Sequence, residues 1–500
     1  MPIYEITHLK SKVHWIILVV TIVSSTLLHW DIFNKDLIGV HLWRQSQNEW
    51  YTLNFLRHDN NILNPRISAH NMGNDGNILR YEFPLLQWSI AQVKRIFGDT
   101  ILITRAIMFG IGITTVLGFY FLIKSLIGNK VLASLAAFTF MYSPVFYYYS
   151  INPLSDVCAL GASIWMMYFL VKYTDLGKLR YFLFSSLFLM LAGLFKLPYF
   201  MFGIIPLTLI IFQFLNKNFS RKELIKELAI LFLISIPVAA WYIYAISSWG
   251  YMGVIKGVTA HADFSELWIY LKFALLHWLP MHLINPFGLV FFLIGLVTLM
   301  KTQNFESPVR WMLLSGFLIT ALYYIYELNM IAKVHDYYML PFLPWLHIVI
   351  LLGLNRVYQM KKYQWTLIPF MIAMPVFSFF KIGTFWDINR NGYNADWFNH
   401  AADLKAAVPR DSLCIILNDN SGVVMPYVID KQGFVFDKND LPAMWVEDMI
   451  LRRRATFMYS DSRKVDTSME IKKYLDHMIL EKGSVRVFKL ARKEEVEKGK

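Results

Sequence analysis

The chain has 500 residues, of which 56% are hydrophobic, 16% aromatic and only 17% charged, and its mean hydropathy is +0.42. This exceeds what a water-soluble core can hide, so an ordinary soluble enzyme is excluded and lipid is the solvent for most of the chain. The net charge of +13 does not read as a nucleic-acid footprint, because basic residues of membrane proteins collect in short cytoplasmic loops, and Cys158 and Cys414 lie too far apart in sequence to suggest a zinc site or a disulfide framework.

In chain order, Lys10 and Lys12 precede an apolar run from about His14 to Leu28. The run ends in Leu28-His29-Trp30 with no small-x-small cleavage pattern, so it is expected to be a retained first helix. A membrane helix needs about 20 mostly apolar residues. That criterion places spans near 13–30, 101–123, 131–149, 156–171, 181–195, 199–215, 228–247, 286–300, 310–326, 338–354 and 364–381. The expected fold class is therefore mainly α, a polytopic transmembrane helical bundle of about eleven spans.

Alternate connections carry Lys124 and Lys130; Lys172, Lys178 and Arg180; Lys217, Arg221, Lys222 and Lys226; Lys301 and Arg310; and Arg356, Lys361 and Lys362. The positive-inside rule makes these loops and the N-terminus cytoplasmic. The segments Asp31–Thr100, Tyr148–Ser155, Gly250–Asn285 and Glu327–Tyr337 then fall outside, as does the tail after Lys381. Residues 1–381 read as the membrane domain and 382–500 as an exported soluble α/β domain. Within the tail, strands are expected at Ser412–Leu417, Gly422–Ile429, Gly433–Phe436, Ala455–Tyr459 and Ser484–Leu490, and helices at Trp397–Ala407, Asp440–Arg453 and Ser468–His477.

In the first outer loop, Gln45–Leu56 and Phe83–Phe97 carry apolar residues at helical spacing. With Trp43, Trp50, Phe55 and Trp88 they read as two helices lying along the membrane surface.

The chemistry-bearing residues cluster on the same expected face. His41–Glu49 follows the first span and contains Arg44, Gln45 and Glu49, while Glu82 stands in Glu82-Phe83-Pro84 before a helix, where an acid also suits the helix dipole. Asp156 opens the fourth span, where it either caps the helix or points into the same outer cavity as the first loop. Lys196, in Lys196-Leu197-Pro198, sits between two apolar spans on the side where lysine is disfavoured. It either snorkels or meets an anionic lipid headgroup. His335, Tyr337 and Tyr338 enter the tenth span from that side, as interface anchors or as hydrogen-bonding groups of a site. Their convergence carries more than any one of them.

Trp43-Arg44-Gln45 followed by a helix, Asn64-Pro65-Arg66-Ile67, Glu82-Phe83-Pro84, Lys196-Leu197-Pro198 and His335-Asp336-Tyr337-Tyr338 occur here in an order and topology that resembles the C-type membrane glycosyltransferases. The likeness covers roughly residues 13–381. It is nearest to bacterial relatives of protein mannosyltransferases and lipid A aminoarabinose transferases. It implies an inverting transfer from a polyprenyl-phosphate sugar to a glycan, lipid or protein acceptor outside the cytoplasm, at the bacterial plasma (inner) membrane. Many relatives place an acid or acidic pair in the first-loop motif, whereas here Arg44-Gln45-Ser46-Gln47-Asn48 fills the stretch and Glu49 is the nearest acid. The general base is thus open among Glu82, Asp156 and Glu49, with Arg44, Lys196 or His335 as stabilisers of the departing phosphate. No cofactor is implied. No metal constellation is evident, and a divalent ion would need a site assembled from Glu82, Asp156 and His335. A transporter or flippase of a lipid-linked sugar would share the many spans but should place ionisable groups near mid-membrane. A non-catalytic scaffold is the third reading.

Overall fold

The computed structural model describes residues 12–72, 76–218, 220–246, 264–301, 307–333, 335–437 and 441–498. Lys10, Asp440 and the first part of the expected loop Gly250–Asn285 lie outside the described residues. The chain divides into two compact units, one of 1–36, 99–245 and 255–384 and one of 37–98, 246–254 and 385–500.

The first unit is helical, and a helix stands at every place where a span was expected. Among the described residues, seven helices are long and apolar enough to cross a bilayer: Ile101–Ile127, Ser155–Leu176, Leu197–Leu215, Arg221–Ile246, Pro308–Tyr326, Asp336–Gln359 and Lys361–Trp386. The chain is an integral membrane protein. An eighth crossing is available if Ser265–Leu283 and Pro286–Met300, bent by 117° at their junction, act as one broken span. Val13–Leu28, Lys130–Met141 and Leu179–Phe195 are shorter apolar helices. The span expected at 131–149 is interrupted at Tyr142-Ser143, where Pro144 opens a second short helix, Pro144–Tyr149. The described part of Gly250–Asn285 is not a loop, because Phe264–Phe273 is α-helical and Ala274–Leu283 continues it with the wider π pitch. Glu266, Lys272, His277 and His282 interrupt that stretch often enough to disguise it in the sequence.

Ser155–Leu176 packs against both Ile101–Ile127 and Leu179–Phe195, and Pro286–Lys301 packs on Leu343–Gln359. The latter crossing is close because each helix brings a glycine to it. A Cβ on Gly295 would stand 1.9 Å from the Val349 carbonyl oxygen, and one on Gly353 equally near that of Phe291. Small residues at a helix crossing let backbones approach where lipid offers no hydrophobic drive for association.

The second unit is built on a five-stranded sheet ordered β2-β1-β3-β5-β4, with β1 Leu413–Leu417, β2 Gln432–Phe436, β3 Phe457–Ser460, β4 Leu475–Lys482 and β5 Val485–Leu490. β1 pairs in parallel with β2 and β3, and the β4–β5 hairpin is antiparallel. One face is covered by Ala443–Leu451, with Ile415, Leu417, Met458, Val446, Met449 and Phe488 in its core. Gly422–Ile429 is not a strand. Val424–Ile429 is a helix, fully buried, and forms the crossover that parallel pairing of β1 and β2 requires. Its free N–H groups are met by Asp419, whose carboxylate accepts from Met425 N at 2.9 Å, and by the Ser421 hydroxyl, which accepts from Val424 N at 2.9 Å. Pro426 fits that first turn but would have removed a donor from a central strand. The helix expected at Ser468–His477 is one short turn, Met469–Lys472, after which the chain enters β4 at the sheet edge.

Residues 37–98 belong to this second unit. Ala69 bridges in parallel to Gly433, and Asn71 clamps Val435 on both sides, accepting from its N–H at 3.0 Å and donating to its carbonyl at 2.8 Å. The first loop thereby covers the β2 edge, which would otherwise be an open template for pairing. Both helices expected in this loop form, as Leu42–Arg57 and Leu85–Phe97. The first is not a surface helix: from Arg44 to Phe55 every side chain is buried, with Trp50 and Phe55 each only 1% exposed. Arg44, Gln45, Gln47, Asn48 and Glu49 find partners inside the protein, so a polar sequence does not mark a wet face here.

Candidate active site

Asp156, Lys196, His335, Tyr337 and Tyr338 fall in the membrane unit, and Arg44, Gln45, Glu49 and Glu82 in the second.

In the membrane unit, Asp156 lies in the first turn of Ser155–Leu176 and is 1% exposed. The turn before it is pinned by buried Arg105, which donates to Asn152 Oδ1 at 2.8 Å and to the carbonyls of Lys35 and Asp36 at 2.8 and 3.1 Å. Lys196 is the extended residue that ends Leu179–Phe195, and Pro198 then starts the 3-10 turn Leu197–Gly203. Its ammonium stands 3.6 Å from Asp156 Oδ2 and over the rings of Tyr338 and Tyr337, 5.0 and 5.9 Å from their centroids. Tyr337 and His335 are hydrogen-bonded through the hydroxyl and Nδ1 at 3.0 Å. Asp336, which no local signal in the sequence singles out, accepts from the Tyr149 hydroxyl, whose ring meets Tyr337 edge-on at 5.7 Å. Tyr199, one turn beyond Lys196 and 1% exposed, has a hydroxyl with no hydrogen-bond partner among the described residues.

The same wall continues into an apolar cavity of about 700 Å³. Met339 and Phe342, on the turn that carries Tyr337 and Tyr338, line it together with Leu271, Leu275, Phe317 and Trp345.

In the second unit, Arg44 reaches from Leu42–Arg57 to both carboxylate oxygens of Glu82, donates to Gln47 Oε1 at 2.7 Å and lies 5.6 Å above the Tyr81 ring. The Glu82 carboxylate is thus fixed by an arginine rather than spent as a helix cap; Pro84 occupies the cap. Gln45 turns back to donate to the Val40 carbonyl at 2.8 Å. Tyr51 donates to the Leu79 carbonyl at 3.0 Å, and burial lifts its phenol well above the usual range, so it stays neutral. Glu49 sits about 140° around the helix from Arg44. It is paired with Lys94 of Leu85–Phe97 at 2.5 Å, both side chains 2% exposed. Lys94 escaped sequence reasoning, since nothing in a single chain announces a partner 45 positions away. Among the described residues no group of three or more His, Cys, Asp or Glu side chains is placed to hold a metal ion.

The helical architecture matches ArnT from Cupriavidus metallidurans, with a TM-score of 0.61 at 11% identity, over 94% of this chain and 97% of that one in the apo state. The chain has the fold of the C-type membrane glycosyltransferases. A second ArnT structure, bound to undecaprenyl phosphate, matches the C-type fold here over 96% of this chain and 98% of that one, again with a TM-score of 0.61 and 11% identity. The oligosaccharyltransferase AglB from Archaeoglobus fulgidus, solved with an inhibitory peptide and a dolichol-phosphate, matches with a TM-score of 0.52 at 14% identity over 94% of this chain and 73% of that one. Residues 82–241 match the family model for dolichyl-phosphate-mannose-protein mannosyltransferase. Comparison by sequence with curated proteins finds no match.

Proposed function

We propose that this chain is a glycosyltransferase that takes a sugar from a polyprenyl-phosphate carrier and passes it, with inversion, to an acceptor on the non-cytoplasmic face. The supporting observation is the continuity of a buried cation with an apolar cavity: Lys196 rests on Tyr338, and the next residue along, Met339, lines the cavity. A ligand with an anionic head and a long hydrocarbon chain satisfies both at once. An ammonium has three N–H donors, so Lys196 can serve Asp156 and a phosphate oxygen together. Two structures of the same fold, ArnT and AglB, were solved with polyprenyl phosphates, which supports this donor class.

In the reaction, the acceptor hydroxyl oxygen attacks the anomeric carbon while the bond from that carbon to the phosphate oxygen breaks. The lipid phosphate leaves with the bonding pair, and a carboxylate takes the hydroxyl proton. Lys196 stabilises the charge gathering on the phosphate, with the Tyr199 hydroxyl as a further donor. A single displacement inverts the anomeric centre, so the base belongs on the side away from the leaving group. Asp156, beside the phosphate-binding lysine, suits positioning that lysine, and Glu49, paired with Lys94, is sealed at 2% exposure, whereas Glu82 is 11% exposed. Glu82, oriented by Arg44, is the base we assign. With the eleven spans and cytoplasmic N-terminus that we infer, these groups and the residues after Lys381 lie outside the cytoplasm.

The test is incubation of the purified protein, in sealed vesicles, with polyprenyl-phosphate sugars. Transfer or hydrolysis supports the reading. Movement of the intact lipid across the bilayer without bond cleavage would replace it with a flippase.

A further inference from the structure

We propose that the second unit carries a binding site for a neutral carbohydrate, in the cavity at the carboxyl ends of β1, β2 and β3. The three strands are parallel, so Leu417, Phe436 and Ser460 end at one edge of the sheet. The chain leaves β1 toward β2 on one side, while β3 leads on to the β5–β4 side. The connections therefore diverge beside β1, and in open parallel sheets ligands bind in such a crevice. The residues that follow the strands, Asn418, Asp437 and Asp461, line a cavity of about 270 Å³ there, together with Asn420, Asn394 and Trp397.

Its chemistry selects the ligand class. Carboxylates accept, amides both donate and accept, and ring faces cover apolar C–H surface, which together match the vicinal hydroxyls and ring face of a sugar. Among the described residues the lining holds two aspartates and no lysine or arginine, which disfavours phosphates and other anions. A bare metal is disfavoured too, since no metal-holding group of acids, histidines or cysteines occurs among the described residues. The framework is set before any ligand arrives. Trp397 Nε1 and Asn394 Nδ2 both donate to Asp461 Oδ2, at 2.8 and 2.9 Å. Asn418 Nδ2 donates to the Asp461 carbonyl at 3.0 Å. Such preorganisation lowers the ordering cost of binding. Asp437 and Asn420 are exposed, and their side chains have no partner among the described residues, so they are the groups left to meet a ligand. The site does not depend on the transfer reaction proposed above.

The experiment is saturation-transfer NMR on the full chain in nanodiscs free of glycoside detergents, with methyl glycosides of glucose, galactose, mannose, arabinose and N-acetylglucosamine as probes. At least one glycoside is expected to bind saturably. Asp437→Ala and Asn420→Ala should each weaken it by about tenfold or more without lowering the melting temperature, and Lys196→Ala should leave it unchanged. The proposal is overturned if no glycoside saturates below roughly 10 mM. It is equally overturned if binding survives both cavity substitutions, or if calcium alone occupies the cavity.

Discussion

The ammonium of Lys196 and the carboxylate of Asp156 face each other at 3.6 Å, nearly sealed from solvent, with the ring of Tyr338 5.0 Å from the nitrogen. The spacing exceeds the roughly 2.7–2.9 Å of a tight charge-assisted hydrogen bond. The carboxylate therefore orients the lysine and leaves it an N–H for a phosphate oxygen. Lys196→Ala should weaken donor binding about tenfold to hundredfold, corresponding to roughly 1.5–3 kcal/mol for a hydrogen bond to a charged group. Lys222→Ala, at an exposed position near the start of Arg221–Ile246, serves as the control and should have no effect. Equal donor affinity in the two variants would remove Lys196 from the site.

Glu49 is expected to be structural. Glu49→Gln leaves Lys94 buried without its counter-charge, and breaking such a pair costs about 3–5 kcal/mol. The variant should unfold at lower temperature and express poorly. The double variant Glu49→Leu with Lys94→Met should recover stability and most of the activity, because an apolar pair of similar volume carries no buried charge. A folded double variant with no turnover would return Glu49 to the chemistry.

How much of this was legible in the sequence differs by residue. Spans follow from hydropathy and length, so a helix stands wherever one was expected, while the interruption at Tyr142-Ser143 and the helical course of 264–283 needed tertiary packing to show. Lys196 stood out because a lysine between two apolar spans is costly unless it has work or a partner. Asp336 and Tyr149 are paired across 187 positions, and Arg44 and Glu82 across 38, and no local pattern encodes either pairing. Val423-Val424 looked like strand because β-branched residues favour it, yet the Asp419 and Ser421 caps and Pro426 decide for helix. Leu42–Arg57 is buried despite its polar sequence because Arg44 and Gln47 bond to each other and Asn48 accepts from Gln87 of the neighbouring helix.

His70 is expected to make the second unit acid-sensitive. It lies against β2, hydrogen-bonded to Gln432 at 2.9 Å, and burial holds its pKa below the usual 6.5. The native state therefore takes up a proton less readily than the unfolded chain, so the stability His70 contributes is present above about pH 6.5 and lost as pH falls through its lowered value. The denaturant midpoint of this unit should drop between pH 7 and pH 5, and His70→Gln should flatten the drop. An unchanged slope would mean that other groups set the acid response.

The proposed eleven-span topology is open to a reporter test. A reporter active only in the cytoplasm, fused after Arg492, should be silent, since an odd number of spans after a cytoplasmic N-terminus puts the tail outside. Strong activity there would require one crossing more or fewer.

The central claim is bond cleavage at the lipid phosphate with Glu82 as the base, and one assay addresses it most directly: polyprenyl phosphate released per sugar transferred, in single turnover, by wild type and Glu82→Gln. The account predicts one lipid phosphate released for each sugar transferred, inverted configuration in the product, and a fall of about 10²–10⁴ in rate for Glu82→Gln, counted per folded, donor-binding molecule. Near-normal turnover by Glu82→Gln, or lipid-linked sugar that crosses the membrane intact with no phosphate released, would contradict it.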